Sequence, residues 1–293
     1  MPLQHSANLS KKEIKTISLL KVATDILKKH NIEDAYLNAE ILLSHILGKE
    51  REKLYAEDIE MDRKKIGLFF KLVKKRCRRI PLQYLTGKAN FFGYSFFVEN
   101  GVFIPRPETE ILVEKTIEIY KNFFYPQKIK ILDIGTGCGN IAITLAKEIE
   151  NSYIIGTDIS KKSIKIAQKN SIYHNVEEKT EFIRKNLFPE EGKFHIIVTN
   201  PPYIPKSEIK NLQEEVKKEP LIAIDGGVDG LKYIREILNG AEKYLYKNGF
   251  LIMEIGENQT SLIKEEVKEK NLKLIKIEKD LQNFERICIF KYN

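Results

Sequence analysis

The stretch IKILDIGTGCG, residues 129–139, decides the fold that the sequence predicts. Its first six residues are mostly isoleucine and leucine, which is typical of a buried strand of a parallel sheet. Glycines at alternate positions then permit a tight turn that brings the backbone close to a ligand. A helix is predicted over residues 140–149, so the turn lies at a helix N-terminus. This order of strand, glycine loop and helix predicts the start of a βαβ unit.

The same alternation of strand and helix continues through the second half of the chain. It predicts an α/β fold, in which a parallel sheet carries helices on both faces. Ser160 is the predicted N-cap of the helix that follows the second strand. Further strands are predicted over residues 152–157, 180–183, 194–198, 250–254, 272–277 and 286–290, and helices over residues 108–123, 231–246 and 258–269.

The first 80 residues lack this alternation and predict a small helical domain. Ser10 and Glu13 have the spacing of a capping box, and apolar residues follow at near-helical intervals. Further helices are predicted over residues 34–47, with Gly48 as the stop, and over residues 63–78.

A β-hairpin is predicted between the two parts. The aromatic run of residues 91–98 and the apolar residues 102–104 flank an Asn-Gly pair at residues 100–101, which is the strongest short-range signal for a hairpin turn. The predicted division is therefore a helical domain over residues 1–80, a hairpin linker over residues 81–107 and a ligand-binding domain over residues 108–293.

Composition and charge limit the class of protein. Of the 293 residues, 42% are hydrophobic and 31% are charged, as in ordinary soluble globular proteins. No apolar run is long enough to span a bilayer and no signal-peptide segment is present, so a cytoplasmic protein is expected. The three cysteines lie far apart, which argues against a disulfide framework or a metal site. The net charge of +8 fits a partner that carries phosphates, although a lysine-rich proteome would give the same charge.

Asp158 follows the second predicted strand, 19 residues after Gly139. Nucleotide-binding βαβ units place the carboxylate that binds a ribose diol at this point. The glycine loop and Asp158 together therefore predict a site for a nucleoside-containing cofactor. After the third strand, Asn186 is a candidate partner for the amine of an adenine, and Leu187 is a candidate to cover its ring.

Asp133 helps to distinguish between two cofactors. A dinucleotide site usually has the spacing G-x-G-x-x-G, whereas residues 135–139 have G-x-G-x-G. A carboxylate just before the loop would repel a pyrophosphate but would attract an ammonium group. S-adenosylmethionine carries an α-amino group, a ribose and an adenine, so it is favoured over NAD. In a second interpretation, Asp133 braces the glycine loop and does not contact the ligand.

The fourth predicted strand ends in TNPPYI, residues 199–204. Pro201 and Pro202 have no backbone N–H and a fixed φ, so the carbonyls of Asn200 and Pro201 are held rigidly. The Asn200 side chain and the Pro201 carbonyl could each accept one N–H of a planar –NH2 group, while Tyr203 packs on its face. The stretch is thus either a cradle for a planar amino group or a proline-stiffened loop.

Residues 133–139 and NPPY at 200–203 resemble the class I S-adenosylmethionine-dependent methyltransferases that modify planar amino groups. This group includes N6-adenine DNA methyltransferases and N5-glutamine protein methyltransferases. Three further stretches are similar to the peptide chain release factor N5-glutamine methyltransferases, the HemK family: PLQYLTG at 81–87, FIPRPETE at 103–110 and EPLIAIDGGVDGL at 219–231. The resemblance covers essentially the full chain. Residues 185–186, Lys-Asn, depart from it, because the family more often has Gly-Asp or Ser-Asp there.

The resemblance implies a Rossmann-like sheet of seven mostly parallel strands, with the last strand antiparallel. It also implies methyl transfer to the glutamine of a Gly-Gly-Gln motif in class-1 release factors, by a cytoplasmic monomer that uses S-adenosylmethionine and no metal. The implied catalytic residues are Asn200, Pro201 and Tyr203. The implied cofactor-binding residues are Asp133, Gly135, Thr136, Gly137, Cys138, Gly139, Asp158, Asn186, Leu187 and Asn200. The implied substrate-binding residues are Phe103, Arg106, Asn200, Pro201, Pro202 and Tyr203.

Three alternatives to this function stay open. Enzymes that methylate a glutamine of ribosomal protein L3 are similar, but they typically depart from the Pro-Glu-Thr-Glu stretch at residues 107–110. An N6-adenine nucleic-acid methyltransferase would use the same cradle on a flipped base. A separate target-recognition domain is not evident in the sequence, so nucleic acid is not the expected substrate. A non-catalytic module that only holds a nucleoside is the third alternative.

Overall fold

The computed structural model describes residues 16–56 and 61–293. The chain forms two compact units, the first ending at Thr86 and the second running from Gly87 to Asn293. Within the described residues, no helix is long and apolar enough to cross a membrane.

The described part of the first unit is helical, as predicted. Its helices are α1 (Thr16–Lys29), α2 (Ala35–Leu47), α3 (Lys53–Ala56), α4 (Arg63–Cys77) and α5 (Leu82–Thr86). Gly48 ends α2 in the left-handed region at φ 66°, and its N–H donates to the carbonyl of Ser44. The Asp62 side chain caps α4. The predicted capping box at residues 10–13 lies outside the described residues.

The hairpin is present, but its predicted position was wrong. Strands β1 (Lys88–Phe91) and β2 (Tyr94–Phe97) pair across a two-residue turn at Phe92 and Gly93, which both have positive φ. Residues 102–104 form no strand. Pro105 and Pro107 follow directly, and prolines cannot donate a hydrogen bond to a neighbouring strand. The N–H of Ile104 donates to the Glu219 side chain instead.

The second unit confirms the predicted α/β class. Within the described residues, seven strands form one sheet in the order β5-β4-β3-β6-β7-β9-β8. Strands β3 to β7 are parallel, and β9 is antiparallel to both of its neighbours. The strands are β3 (Ile129–Ile134), β4 (Ser152–Asp158), β5 (Thr180–Arg184), β6 (Phe194–Thr199), β7 (Leu245–Glu254), β8 (Leu272–Lys279) and β9 (Glu285–Tyr292).

Five helices pack on this sheet in the alternation that the sequence predicts. They are α6 (Glu110–Phe123), α7 (Asn140–Glu148), α8 (Lys161–Tyr173), α9 (Lys232–Tyr244) and α10 (Thr260–Glu266), as counted among the described residues. A 3-10 turn at Pro107–Thr109 leads into α6. The Ser160 side chain accepts a hydrogen bond from the N–H of Ser163 and caps α8, as predicted.

Strand order reverses between β3 and β6, since β4 lies on one side of β3 and β6 on the other. Open α/β sheets bind ligands in the crevice at the carboxyl ends of the strands on either side of such a reversal. Both strands are buried on both faces, so their apolar residues fix the register of the polar residues that follow. The glycine loop and the NPPY stretch therefore emerge side by side at one edge.

Candidate functional site

A cavity of about 290 Å³ lies at the carboxyl ends of strands β3 to β6. It is lined by residues that directly follow each of these strands, together with parts of the loops around residues 101–106 and 212–224. The predicted site residues that line it are Phe103, Arg106, Gly135, Gly137, Asp158, Asn186, Leu187, Asn200, Pro201, Pro202 and Tyr203.

Four predicted cofactor residues do not line the cavity, namely Asp133, Thr136, Cys138 and Gly139. The Asp133 carboxylate is fully buried, and its Oδ2 accepts a hydrogen bond of 2.6 Å from the Thr136 hydroxyl. Burial raises the pKa of Asp133 to about 7. This geometry favours the second interpretation made from the sequence, in which Asp133 braces the glycine loop.

Gly139 supports the loop by close packing between helices. A Cβ at this position would lie 2.9 Å from the Ile143 side chain and 3.1 Å from that of Ala167, and φ is +84°. Only glycine therefore fits where α7 begins beside α8.

Asp158 is held rigidly at the rim of the cavity. Its Oδ2 accepts a 3.0 Å hydrogen bond from the N–H of Gly137, and its Oδ1 accepts one of 2.8 Å from the N–H of Ser160. Burial raises the pKa of Asp158, while these backbone N–H groups act in the opposite direction by stabilising the charged form. Each oxygen keeps a further lone pair, so the carboxylate can also accept from a diol in the cavity.

Asn186 and Leu187 border the same part of the cavity. Leu187 has a φ of 59°, and its carbonyl accepts a hydrogen bond from the Thr157 hydroxyl at the end of β4. The left-handed backbone of Leu187 is thereby tied to the neighbouring strand, and the Asn186 side chain is left exposed.

The Asn200 amide is oriented by a residue that sequence reasoning did not assign. Its Nδ2 donates a 3.1 Å hydrogen bond to the hydroxyl of Thr109, which is 2% exposed. Because the donor end is engaged, the Oδ1 acceptor is left for a ligand. Pro201 and Pro202 offer no N–H, so this side of the cavity presents acceptors.

Tyr203 is held at both ends. Its hydroxyl donates to Glu254 Oε1 at 3.2 Å, and its carbonyl accepts from Gln259 Nε2 at 2.9 Å. Burial raises the pKa of Tyr203 above its usual value, and the neighbouring charge of Glu254 adds to this effect. Tyr203 therefore stays a neutral phenol with a fixed ring.

A partly buried ion pair joins the FIPRPETE stretch to the loop beyond residue 212. The Glu219 carboxylate pairs with the Arg106 guanidinium and accepts a 3.0 Å hydrogen bond from the N–H of Ile104. The guanidinium also lies 4.9 Å from the centroid of the Phe103 ring. Arg106 and Phe103 are thus fixed at the cavity wall by a carboxylate that is not among the predicted site residues.

The glycines of residues 226–230 press against the backbone of Tyr203. A Cβ on Gly226 would lie 2.8 Å from Tyr203 Cα, and one on Gly230 would lie 2.4 Å from the Tyr203 carbonyl oxygen. An isolated bridge between Ile204 and Asp225 holds the two segments together. Gly226 and Gly230 therefore support the Tyr203 backbone by close packing.

Replacing Gly230 with alanine should lower the free energy of unfolding by about 2–4 kcal/mol, because strain at positive φ adds to a backbone clash. Gly93→Ala is the matched control: φ is +75° there, but a Cβ would meet no atom within 4 Å. The control should lose only about 1–2 kcal/mol. Thermal or denaturant unfolding of both variants tests this prediction. An equal decrease in the free energy of unfolding would show that the contact with Tyr203 does not contribute to stability.

Two histidines make hydrogen bonds outside this cavity. His174 Nε2 donates to the carbonyl of Ser95, and His195 Nδ1 accepts from the N–H of Lys130. Neither lines the cavity. Across the residues that the structure describes, no group of three or more His, Cys, Asp or Glu side chains could hold a metal ion.

Comparison with known proteins identifies relatives along most of the chain. The family model of the PrmC N-terminal domain matches residues 18–87, and the family model of the methyltransferase small domain matches residues 99–219. The chain is 37% identical over 291 residues to a release factor glutamine methyltransferase of Fusobacterium nucleatum, covering 96% of this chain and 80% of the relative. It is 41% identical over 233 residues to one of Dictyoglomus turgidum, covering 78% and 81%.

Solved structures share the fold at lower identity. A methyltransferase from Pyrococcus furiosus superposes with a TM-score of 0.52 over 69% of this chain and 91% of that chain, at 18% identity. This likeness confirms the predicted Rossmann-like architecture.

Proposed function

We propose that this chain, which belongs to the release factor glutamine methyltransferase family, methylates the N5 amide nitrogen of the glutamine in a Gly-Gly-Gln motif. The methyl donor in this proposal is S-adenosylmethionine, and the substrates are class-1 peptide chain release factors. Residues 1–80 are proposed to dock on the factor, and the unit with the seven-stranded sheet to receive the glutamine.

The acceptor-rich cradle is the observation that carries the proposal. Asn200, Pro201 and Pro202 line the cavity, the two prolines have no backbone N–H, and the Asn200 amide nitrogen is engaged by Thr109, which supports a role of Asn200 Oδ1 and the Pro201 carbonyl as acceptors. A primary amide has two N–H donors in one plane. Two fixed acceptors would therefore select and orient this group.

Orientation addresses the main chemical difficulty of the reaction. The nitrogen lone pair of an amide is delocalised into its carbonyl, so glutamine is a poor nucleophile. When both N–H groups are held, the lone pair is directed at a methyl group placed opposite. Proximity and orientation supply most of the gain, and the acceptors stabilise the positive charge that develops on nitrogen.

The residues around Asp158 fit a nucleoside cofactor. Asp158 would accept from the ribose hydroxyls, Asn186 and Leu187 would contact the adenine, and the backbone of Gly135 and Gly137 borders the same space. When bound, S-adenosylmethionine would supply an electrophilic methyl group on a sulfonium and, after the sulfur–methyl bond breaks, would be left as S-adenosylhomocysteine. The ring of Tyr203 offers π density to a nearby cation.

No side chain is assigned as a general base. The amide nitrogen becomes acidic only after it has gained the methyl group, and its proton can then leave to water. His174 and His195 do not line the cavity, so neither is proposed as a base.

A comparison of three substrates tests the proposal. The purified protein and S-adenosylmethionine are incubated separately with a class-1 release factor, with ribosomal protein L3 and with duplex DNA, and methyl incorporation is compared. We expect incorporation into the release factor. Preferential labelling of L3 would move the enzyme to a ribosomal substrate, and labelling of DNA would support a flipped adenine in the cradle.

A further inference from the structure

Glu219 joins two segments of the cavity wall that lie far apart in the sequence. One carboxylate oxygen accepts a 3.0 Å hydrogen bond from the N–H of Ile104, and the other pairs with the Arg106 guanidinium. The Glu219 side chain is 1% exposed, and the next residue, Pro220, lines the cavity together with Arg106. The carboxylate therefore ties the loop around residues 212–224 to the FIPRPETE stretch.

The Arg106 guanidinium is held in a defined orientation. Nη2 pairs with Glu219, and the central carbon of the guanidinium lies over the Phe103 ring, 4.9 Å from its centroid. A long side chain that is held in one orientation before a ligand arrives loses less conformational entropy when the ligand binds. The ion pair and the ring thus prepare Arg106 for a contact inside the cavity.

Arg106 keeps hydrogen-bond donors for such a contact. A guanidinium carries five N–H donors, and within the described part of the chain Glu219 is the one hydrogen-bond acceptor that the Arg106 guanidinium contacts. Its side chain is 29% exposed and lines the cavity. N–H groups therefore remain for a ligand.

The cavity combines these donors with the acceptors of the NPPY stretch. A glutamine whose two N–H groups are held still belongs to a peptide, and the carbonyl oxygens of that peptide require donors when they are buried. A donor on the side-chain carbonyl would draw the nitrogen lone pair further into the amide and would slow methylation. A donor on a main-chain carbonyl has no such effect, and the glycines of Gly-Gly-Gln leave main-chain carbonyls uncovered.

We propose that Arg106 donates to a main-chain carbonyl of the substrate beside the glutamine, and that Glu219 is the positioning residue that holds Arg106 for this contact. This role rests on the proposed function, because it concerns how the Gly-Gly-Gln peptide is bound. The carbonyl is unchanged by the reaction, so the contact stabilises the bound substrate and the transition state equally. It therefore acts on KM and leaves kcat unchanged.

The first test removes the charge of Glu219. Glu219→Gln keeps an oxygen that can accept from the N–H of Ile104 but loses the charge that holds Arg106. We expect its KM for a class-1 release factor to rise about 10-fold, with kcat and the Kd for S-adenosylmethionine within about 2-fold of wild type. A Glu219→Gln variant with the wild-type KM overturns the positioning role.

The matched control is Asp280→Asn. Asp280 also pairs with an arginine, Arg286 at 2.9 Å, and also accepts from backbone N–H groups. Both side chains are largely buried, and neither residue lines the cavity. Asp280→Asn should lower Tm and leave KM unchanged. An equal rise in KM in this control and in Glu219→Gln would show that any lost ion pair has this effect, and would overturn the positioning role.

Coupling between the two residues gives a second test. Arg106→Ala should raise KM about 10- to 100-fold, since it removes the donor to the carbonyl. Because Glu219 acts through Arg106, the double variant should have a KM within about 3-fold of that of Arg106→Ala. Multiplicative increases in KM overturn the role of Glu219.

Arg106→Lys keeps the question open to experiment if Glu219→Gln does not fold. It leaves Glu219 its counter-charge but replaces the planar fork with a single ammonium group, so KM should rise about 5-fold or more. A wild-type KM for Arg106→Lys overturns the proposed contact.

Semisynthetic release factors test the contact from the side of the substrate. The main-chain carbonyl of the glycine before the glutamine, or that of the glutamine itself, is replaced with a thiocarbonyl, which keeps the peptide planar but accepts hydrogen bonds weakly. One of the two factors should have a KM about 5-fold above that of the native factor with the wild-type protein, and Arg106→Ala should not distinguish it from the native factor. If neither factor differs with the wild-type protein, or if Arg106→Ala shows the same ratio, the carbonyl contact is wrong.

Crystal structures separate this inference from the proposed function. In Glu219→Gln the Arg106 guanidinium should leave the Phe103 ring or take two positions. If the wild-type protein leaves the release factor unmethylated while Arg106 is released in Glu219→Gln, the proposed substrate is wrong and the positioning of Arg106 by Glu219 stands. If Arg106 stays in place in Glu219→Gln, the positioning role is wrong whatever the substrate is.

Discussion

Replacing Asn200 with alanine should lower kcat for glutamine methylation by about 100- to 1,000-fold, which is the usual cost of removing one group from a preorganised site. The variant loses the Oδ1 acceptor and leaves the Thr109 hydroxyl without its partner. Asn200→Asp should fall between wild type and Asn200→Ala, because it keeps an acceptor oxygen. Single-turnover kinetics with a release factor measure the effect.

The control for this prediction is Asn239→Ala, which truncates an exposed asparagine on α9, away from the cavity. It should retain the wild-type rate. Calorimetry should show that Asn200→Ala still binds S-adenosylmethionine within about 10-fold of wild type, since Asp158 and the glycine loop are intact. An Asn200→Ala variant with the wild-type kcat would show that the cradle does not orient the amide.

Replacing Asp158 with alanine should have the second-largest effect, a rise of about 100-fold or more in the Kd for S-adenosylmethionine. The variant loses the two hydrogen bonds that the ribose hydroxyls would donate to the charged Asp158 carboxylate, each worth about 1.5–3 kcal/mol. The backbone N–H groups of Gly137 and Ser160 also lose their acceptor, so the glycine loop is expected to loosen. Isothermal titration calorimetry measures the binding directly.

Asp158→Asn provides the matched comparison, because one oxygen remains to accept and the shape is kept. Its Kd should lie between those of wild type and Asp158→Ala. Binding that is unchanged in Asp158→Ala would contradict the assignment of this carboxylate to a ribose. Loss of binding together with a large fall in Tm would instead indicate a general collapse of the loop.

Residues that follow a strand directly were predictable from the sequence. Asp158 and Asn200 come just after buried apolar runs, and the parallel alternation places such positions at one edge of a sheet. The structure confirms the sheet and brings both residues to one cavity. The order of strands and helices along the chain was enough to predict this part of the site.

Contacts between distant segments were not predictable in this way. Thr109 and Asn200 are 91 residues apart, and Ile104 and Glu219 are 115 apart. Residues 109 and 219 occur within stretches that carry the family resemblance, but nothing local assigns their partners. The sequence around Glu254 does not indicate its contact with Tyr203, because a glutamate at the end of a strand is common.

The misplaced hairpin turn has a different cause. Asn100 and Gly101 do form a turn, in which the N–H of Val102 donates to the carbonyl of Glu99. The preference for a turn was therefore satisfied, but the prolines that follow prevent a second strand. Phe92 and Gly93 form the hairpin turn instead, although Phe rarely adopts positive φ.

The most direct test of the central claim is tandem mass spectrometry of a class-1 release factor after incubation with the wild-type protein and S-adenosylmethionine. We predict one added methyl group per factor, with fragment ions that place it on the side-chain nitrogen of the glutamine in the Gly-Gly-Gln peptide. A factor in which that glutamine is replaced by alanine should stay unmodified. A methyl group on any other residue, or on both forms of the factor, would contradict the account.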